Sequence, residues 1–230
     1  MNGPSGEGRA RGGDRWSRAR QEMVDKQIVA RGVRDERVIA AMRRVPRHAF
    51  VPEVLAEEAY SDKALPIGYA QTISQPYMVA VCLEALALRG GERVLEIGAG
   101  SGYVTALLAE LAGSVRAIER LPELAGPARA RLERLGYTNF LLWAADGTYG
   151  WAEEGPYEAI LAAASALEPP APWRGQLAPG GRLVMPLGEE KNQRLVRFSL
   201  DGEGRPRQRE TLVNCVFVKL VGKHGWPENG

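Results

Sequence analysis

The 230-residue chain predicts an α/β fold, a doubly wound and mostly parallel sheet. From Arg93 onward, short apolar strands alternate with helix-periodic stretches, the pattern of a parallel sheet with right-handed crossovers. After Gly188 the helical pattern stops, so antiparallel strands are expected to finish the sheet. Helical spacing ahead of the first strand adds an N-terminal helical extension.

Residues 16–30 carry helical spacing in Met23, Gln27 and Ile28, with Gly32 as a stop. Asp35 reads as the N-cap of a second helix through Met42, ended ahead of Pro46. Residues 64–76 are rich in turn formers and read as a loop, and 77–88 as another helix. Strands are then expected at 94–97, 115–118, 140–144, 157–163 and 183–187, with helices between the first three. A proline-rich connection spans 169–172, and the stretches 195–200 and 213–221 pair through a turn at Asp201 and Gly202. No internal repeat is present.

In sheets of this kind ligands bind beyond the carboxyl ends of the strands, where strand order reverses. The first strand leads into Glu96-x-Gly98-x-Gly100-x-Gly102. A dinucleotide fingerprint needs glycine where Tyr103 stands, a phosphate-binding loop needs a GK[ST] ending, and Ser101 is outside GxSxG. Glu96 would repel a pyrophosphate and attract a cation, such as the ammonium or sulfonium of S-adenosylmethionine. Glu119 ends the second strand about 20 residues on, where a ribose-binding carboxylate belongs. Asp146, followed by Gly147, ends the third strand and suits an adenine amino group. Each feature alone is ordinary: a GxGxG turn, a surface ion pair, an Asp-Gly turn. Three acidic residues closing three successive strands point to a nucleoside-bearing cationic cofactor.

A net charge of +2 gives no electrostatic case for a nucleic acid or membrane partner. No apolar run reaches the roughly 20 residues of a membrane span, and no secretory core opens the chain, so a cytoplasmic protein is expected. Cys82 and Cys215 are far apart in sequence and belong to no metal-binding pattern, so no metal site is expected. His48 and His224 read as structural or surface groups.

The segment Ala64-Leu-Pro-Ile-Gly-Tyr-Ala-Gln-Thr-Ile-Ser-Gln-Pro76, and most specifically Gln71-Thr72-Ile73-Ser74-Gln75-Pro76, resembles the substrate loop of protein-L-isoaspartate O-methyltransferases. The similarity continues through residues 94–103, 145–147, 177–188 and 222–226, with Val45-Pro46-Arg47 and Phe50-Val51 resembling the family's helical N-terminal region. It covers roughly residues 20–226, nearly the whole chain. The glycine loop is common to many methyltransferases; the segment around Ser74 is far more specific. The resemblance implies a Rossmann-like class I methyltransferase fold and methyl transfer from S-adenosylmethionine to the free α-carboxylate of L-isoaspartyl residues in damaged proteins. It implies Ser74 as the active-site residue, with Gln71, Thr72, Ile73, Gln75 and Pro76 forming the substrate loop around it. The nearest alternative role for Ser74 is a cap on the helix that follows.

The expected organisation is a disordered basic arm over 1–19 and a single methyltransferase domain over 20–230. Within it, 20–90 holds helices and substrate loop, 91–188 the cofactor core and 189–230 the C-terminal strands. A monomer is expected. Three departures stand out: Ala70 where the family usually has glycine, Glu158 where aspartate is usual, and Ala162-Ala163-Ala164-Ser165, which lacks a threonine hydroxyl. The rival readings are methylation of RNA or a small molecule, and cofactor binding without turnover.

Overall fold

In the computed structural model, which describes residues 7–228, strand–helix alternation builds one seven-stranded sheet in the order β5-β4-β3-β6-β7-β8-β9. Strands β3 (Arg93–Ile97), β4 (Ser114–Glu119), β5 (Phe140–Ala144), β6 (Tyr157–Ala162) and β7 (Leu177–Glu189) run parallel. Strands β8 (Asn192–Leu200) and β9 (Pro206–Cys215) add on antiparallel, around a turn in which Gly204 N–H donates to the Asp201 carbonyl at 3.0 Å. The chain leaves β3 toward β4 on one side and returns to it through β6 on the other. That reversal opens a crevice beyond the carboxyl end of β3.

Apolar residues set these elements. Val94, Leu95 and Ile97 are buried on β3, and both faces of the strand are covered, as a central parallel strand requires. Helix α4 (Tyr103–Leu111) and helix α5 (Pro122–Arg134) supply Leu107, Leu108 and Leu132 to the core. Pro127 lies inside α5 without ending it. Asp35 caps α2 (Glu36–Arg44) as expected, its side chain accepting from the N–H groups of Arg37 and Val38.

Several features differ from expectation, among them β7, which begins at Leu177, six residues ahead of the expected 183. The basic arm expected over 1–19 is helical from Glu7, in α1 (Glu7–Met23), while residues 1–6 lie outside the described residues. Gly12 and Gly13 lower helix propensity, but Trp16 stacks on His48 with ring centroids 4.7 Å apart and Arg15 pairs with Glu57 at 2.6 Å. Tertiary contacts override the composition there. Helix α3 (Pro76–Leu86) starts at its proline, as a first-turn proline permits. The loop over 64–76 contains a hairpin, β1 (Leu65–Gly68) against β2 (Gln71–Ile73). The last expected strand, 213–221, ends as β9 at Cys215, and beyond it the chain makes only isolated bridges such as Ser165 with Lys219.

Arg47 ties the N-terminal layer to this framework. It is fully buried, its Nε donates to the Ala59 carbonyl at 2.7 Å, and its guanidinium lies 5.1 Å from the centre of the Tyr103 ring. Burial lowers its pKa. Arg47→Met is expected to cost about 2–4 kcal/mol in urea unfolding, because it strands buried carbonyls that each cost about 1–3 kcal/mol unpaired. A change below about 0.5 kcal/mol, the usual size of a surface substitution, would contradict that role.

Candidate active site

Internal hydrogen bonds hold most of the turn after β3. Gly98 and Ala99 N–H both donate to the Ile118 carbonyl, at 2.8 and 3.1 Å, and Gly102 N–H to the Ala99 carbonyl at 2.8 Å. Gly100 N–H donates to Glu119 Oε2 at 2.8 Å, and Leu121 N–H to Glu119 Oε1 at 3.0 Å. The N–H groups of Gly98, Ala99, Gly100 and Gly102 are therefore already engaged within the protein. Gly100 has φ +55°, and a Cβ there would lie 3.2 Å from Ile67 Cδ1, so the glycine loop packs directly beneath the β1–β2 hairpin.

The crevice is lined by Gly98, Gly100 and Glu119 from the strand ends, by Gly147, and by Gln71, Thr72, Ile73 and Ser74 from the hairpin side. Gly147 has to be glycine: a Cβ would meet Ile97 Cγ2 at 2.6 Å. Gln75, Pro76 and Gly102 stand outside this lining. Gln75 Nε2 donates to the Asp62 carbonyl at 3.2 Å, Pro76 is buried in the first turn of α3, and Gly102 is the left-handed N-cap of α4.

Glu96 is completely buried below the crevice floor. Its Oε2 accepts from the Thr105 hydroxyl at 2.6 Å, whereas Oε1 is buried with no hydrogen-bond partner. Burial, together with the Glu119 charge, lifts its pKa to about 7 against the weaker pull of the Thr105 hydroxyl. An unsatisfied buried carboxylate oxygen fits a nearby cation.

The raised pKa makes folding pH-dependent. The folded state holds the proton up to about pH 7 while the unfolded chain releases it near 4.5, so the contribution is full below 4.5 and lost as pH rises through 7. At 1.36 kcal/mol per unit this amounts to roughly 3 kcal/mol. Urea titrations of wild type and Glu96→Gln should show the variant gaining relative stability from pH 4.5 to 8, and parallel curves would contradict the assignment.

Asp146 differs from expectation in its contacts. It is not among the crevice residues, and its Oδ1 accepts from Thr148 N–H and hydroxyl at 2.8 and 2.7 Å. Its Oδ2 accepts from Lys223 N–H at 2.8 Å, which fastens the C-terminal segment beside Gly147. These bonds lower its pKa against an opposing effect of burial.

Ser74 borders the crevice and also a second groove along the C-terminal segment, lined by Asn214, Cys215 and Phe217 among others. Thr72 and Ala163 border both as well, so the missing threonine hydroxyl would have stood at the junction. Ala70 stands where the backbone does take φ > 0: Tyr69 and Ala70 turn the hairpin with φ +52° and +54°. Glu158 lies away from the crevice, its Oε2 accepting from Arg93 N–H at 2.7 Å.

Neither histidine reaches the junction. His48 Nδ1 lies 2.7 Å from the Tyr60 hydroxyl, and His224 packs edge-on against Tyr149. Cys82 is buried and Cys215 half-buried, both thiols pushed upward by burial, the latter to about 11. No group of metal-ligating side chains exists among the described residues, and no helix there is long and apolar enough to cross a membrane. The sequence reading missed the C-terminal lining, Val218 to Val221, because after β9 those residues carry no periodicity that would aim them at a strand end.

A crevice suited to a cationic nucleoside, at the switch point of a doubly wound sheet, places the chain among the S-adenosylmethionine-dependent methyltransferases. Residues 18–225 match the family model for protein-L-isoaspartate(D-aspartate) O-methyltransferase, and the chain belongs to that family. The protein-L-isoaspartate O-methyltransferase of Syntrophus aciditrophicus is 53% identical over 93% of this chain and 98% of its own length. That of Geobacter metallireducens is 53% identical over 90% of this chain and 96% of its own. A solved structure from Plasmodium falciparum, described as a putative protein-L-isoaspartate O-methyltransferase in complex with S-adenosyl-L-homocysteine, superposes with a TM-score of 0.75 at 26% identity. It covers 88% of this chain and 98% of that one.

Proposed function

We propose that this chain methylates the free α-carboxylate of L-isoaspartyl residues in damaged proteins, with S-adenosylmethionine as donor and Ser74 as the active-site residue. The observation that carries the residue assignment is the junction at Ser74, where the crevice beyond β3 meets the groove along the C-terminal segment. When bound, the cofactor supplies an electrophilic methyl group on a sulfonium.

An α-carboxylate ordinarily titrates at about 3.5 and is already an anion at pH 7, so no general base is needed. The absence of a histidine at the junction accords with that. What the chain must supply is alignment, which is worth up to about 7–11 kcal/mol. Ser74 donates its hydroxyl to the acceptor carboxylate and fixes the line of attack. Gln71, Thr72 and Ile73 shape the wall around it, with Gln75 and Pro76 anchoring the loop to α3. Glu119 accepts from ribose hydroxyls, while Gly98 and Gly100 keep the floor low and Gly102 turns the chain into α4. Glu96 lies beneath the cationic end, whose charge favours its ionised form. Asp146 has three of roughly four acceptor sites filled and keeps one for an adenine amino group beside Gly147.

The chain works as a monomer in the cytoplasm, its free cysteines supporting the compartment, and its single domain takes in Arg15 and Trp16, which pack on Glu57 and His48. Paired synthetic peptides that differ only in an isoaspartyl or aspartyl linkage test the function. Base-labile methyl esters are expected on the isoaspartyl member alone. Equal inactivity on both would overturn the substrate assignment.

A further inference from the structure

Behind Ser74 lies an apolar recess for which methyl transfer has no evident need. Its walls include Val79 and Cys82 of α3, Val104 of α4, Leu161 of β6 and Phe217. It meets the crevice and the groove at Ser74 and Ala163, the two described residues that line all three. We propose that this recess receives the carbon beyond the reacting one in a larger sulfonium donor, so that the chain also transfers ethyl groups from the S-ethyl analogue of S-adenosylmethionine; this rests on the function proposed above.

The mouth of the recess is fixed by the end of β3. Ala163 N–H donates to the Ile97 carbonyl at 2.9 Å, and a Cβ at Gly98 would lie 3.7 Å from Ala163 Cβ. The Ala163 methyl therefore lies against the floor of the crevice. The threonine usual in the family would bring a hydroxyl and a methyl to this opening, and Ala163 brings neither. The free space is about 10 Å³, room for one small group. Val79, Cys82 and Leu161 are buried, and burial pushes the Cys82 thiol up, so that wall carries no charge. Such a wall offers a water molecule no partner beyond the Ser74 hydroxyl, whereas a methyl group there gains dispersion contacts.

In the reaction assigned to Ser74, the reacting carbon stands at the junction, between a sulfur in the crevice and an oxygen in the groove. In-line attack fixes sulfur, carbon and oxygen, so a second carbon has to leave that line to the side. The recess is the apolar space on that side. The acceptor carboxylate oxygen forms its bond to the ethyl CH2 as the carbon–sulfur bond breaks. The electron pair of the broken bond stays on sulfur, giving neutral S-adenosyl-L-homocysteine and an ethyl ester, and no proton moves.

Calorimetry and mass spectrometry test this with S-adenosylmethionine and its S-ethyl analogue, in wild type and Cys82→Val. Valine is bulkier than cysteine and fills the recess from its far wall, at a position that lines neither the crevice nor the groove. Without peptide, wild type is expected to bind the analogue within about threefold of S-adenosylmethionine. With the isoaspartyl peptide it should form ethyl esters. Cys82→Val should weaken the analogue about tenfold, the scale on which an apolar pocket discriminates a methylene, and leave S-adenosylmethionine within about twofold. Methyl esters without ethyl esters, or a wild-type affinity for the analogue more than about tenfold below that for S-adenosylmethionine, overturns the inference and leaves the parent function standing. Equal binding of the analogue by Cys82→Val and wild type overturns the role of the recess. Absence of methyl esters from wild type with S-adenosylmethionine overturns the parent function and this inference with it. Should Cys82→Val fail to fold, Ala163→Thr takes its place: the affinity ratio of analogue to S-adenosylmethionine should fall about tenfold, and an unchanged ratio rejects the proposal.

Discussion

Ser74→Ala is expected to lower kcat for isoaspartyl methylation by about 10²-fold and leave cofactor affinity within about twofold. A hydroxyl bonded to a charged group contributes about 1.5–3 kcal/mol, and each 1.36 kcal/mol is tenfold in rate. The effect should appear in kcat because Ser74 is placed between the end of β2 and the start of α3. The next residue, Gln75, accepts from Val79 N–H at 3.1 Å, and Pro76 fixes the first turn of α3. A hydroxyl anchored in that way selects one orientation of the carboxylate. Were Ser74 only a helix cap, the variant would lose stability and keep kcat. The N-cap of α3 is in fact Gln75, and no side-chain hydrogen bond caps it. Isothermal titration with S-adenosylhomocysteine alongside kinetics separates the cases, and a large loss of cofactor affinity would contradict the orienting role.

The second large effect is expected from Glu119→Gln. Both carboxylate oxygens already accept backbone N–H groups, from Gly100 and Leu121. An amide offers one acceptor oxygen and turns its NH2 toward the other N–H, so a donor faces a donor at the edge of the glycine turn. The variant also loses the charge that accepts from ribose hydroxyls. Together these should weaken cofactor binding by about 10²-fold, two charge-assisted hydrogen bonds being affected. The peptide KM should change little at saturating cofactor. Calorimetry showing cofactor affinity within a factor of two of wild type would remove Glu119 from the site.

The elements that position this crevice were legible where apolar runs and glycine turns left one choice. Strand β5 falls on the expected residues 140–144, and β3 through β6 agree to within about a residue or two at each end. The Glu96-to-Gly102 turn was legible for the same reason. What periodicity could not carry was decided by contacts distant in sequence. Trp16 holds α1 through His48 and Tyr60, and nothing near Gly12 and Gly13 in the sequence announces that partner. Asp146 was expected to face a ligand, yet it also fastens Lys223, 77 positions away. The C-terminal lining around Lys219 was invisible for a like reason, since its place depends on Ser165 and Trp226. The replacement of glycine by Ala70 was legible, but that the position takes φ +54° depends on how the β1–β2 hairpin turns.

A crystal structure with S-adenosyl-L-homocysteine bound is the most direct check. The nucleoside should lie between Gly98 and Gly147 with its ribose against Glu119, and its sulfur should face the Ser74 hydroxyl across the space of one methyl group. A ligand seated elsewhere, or a sulfur turned away from Ser74, would contradict the account.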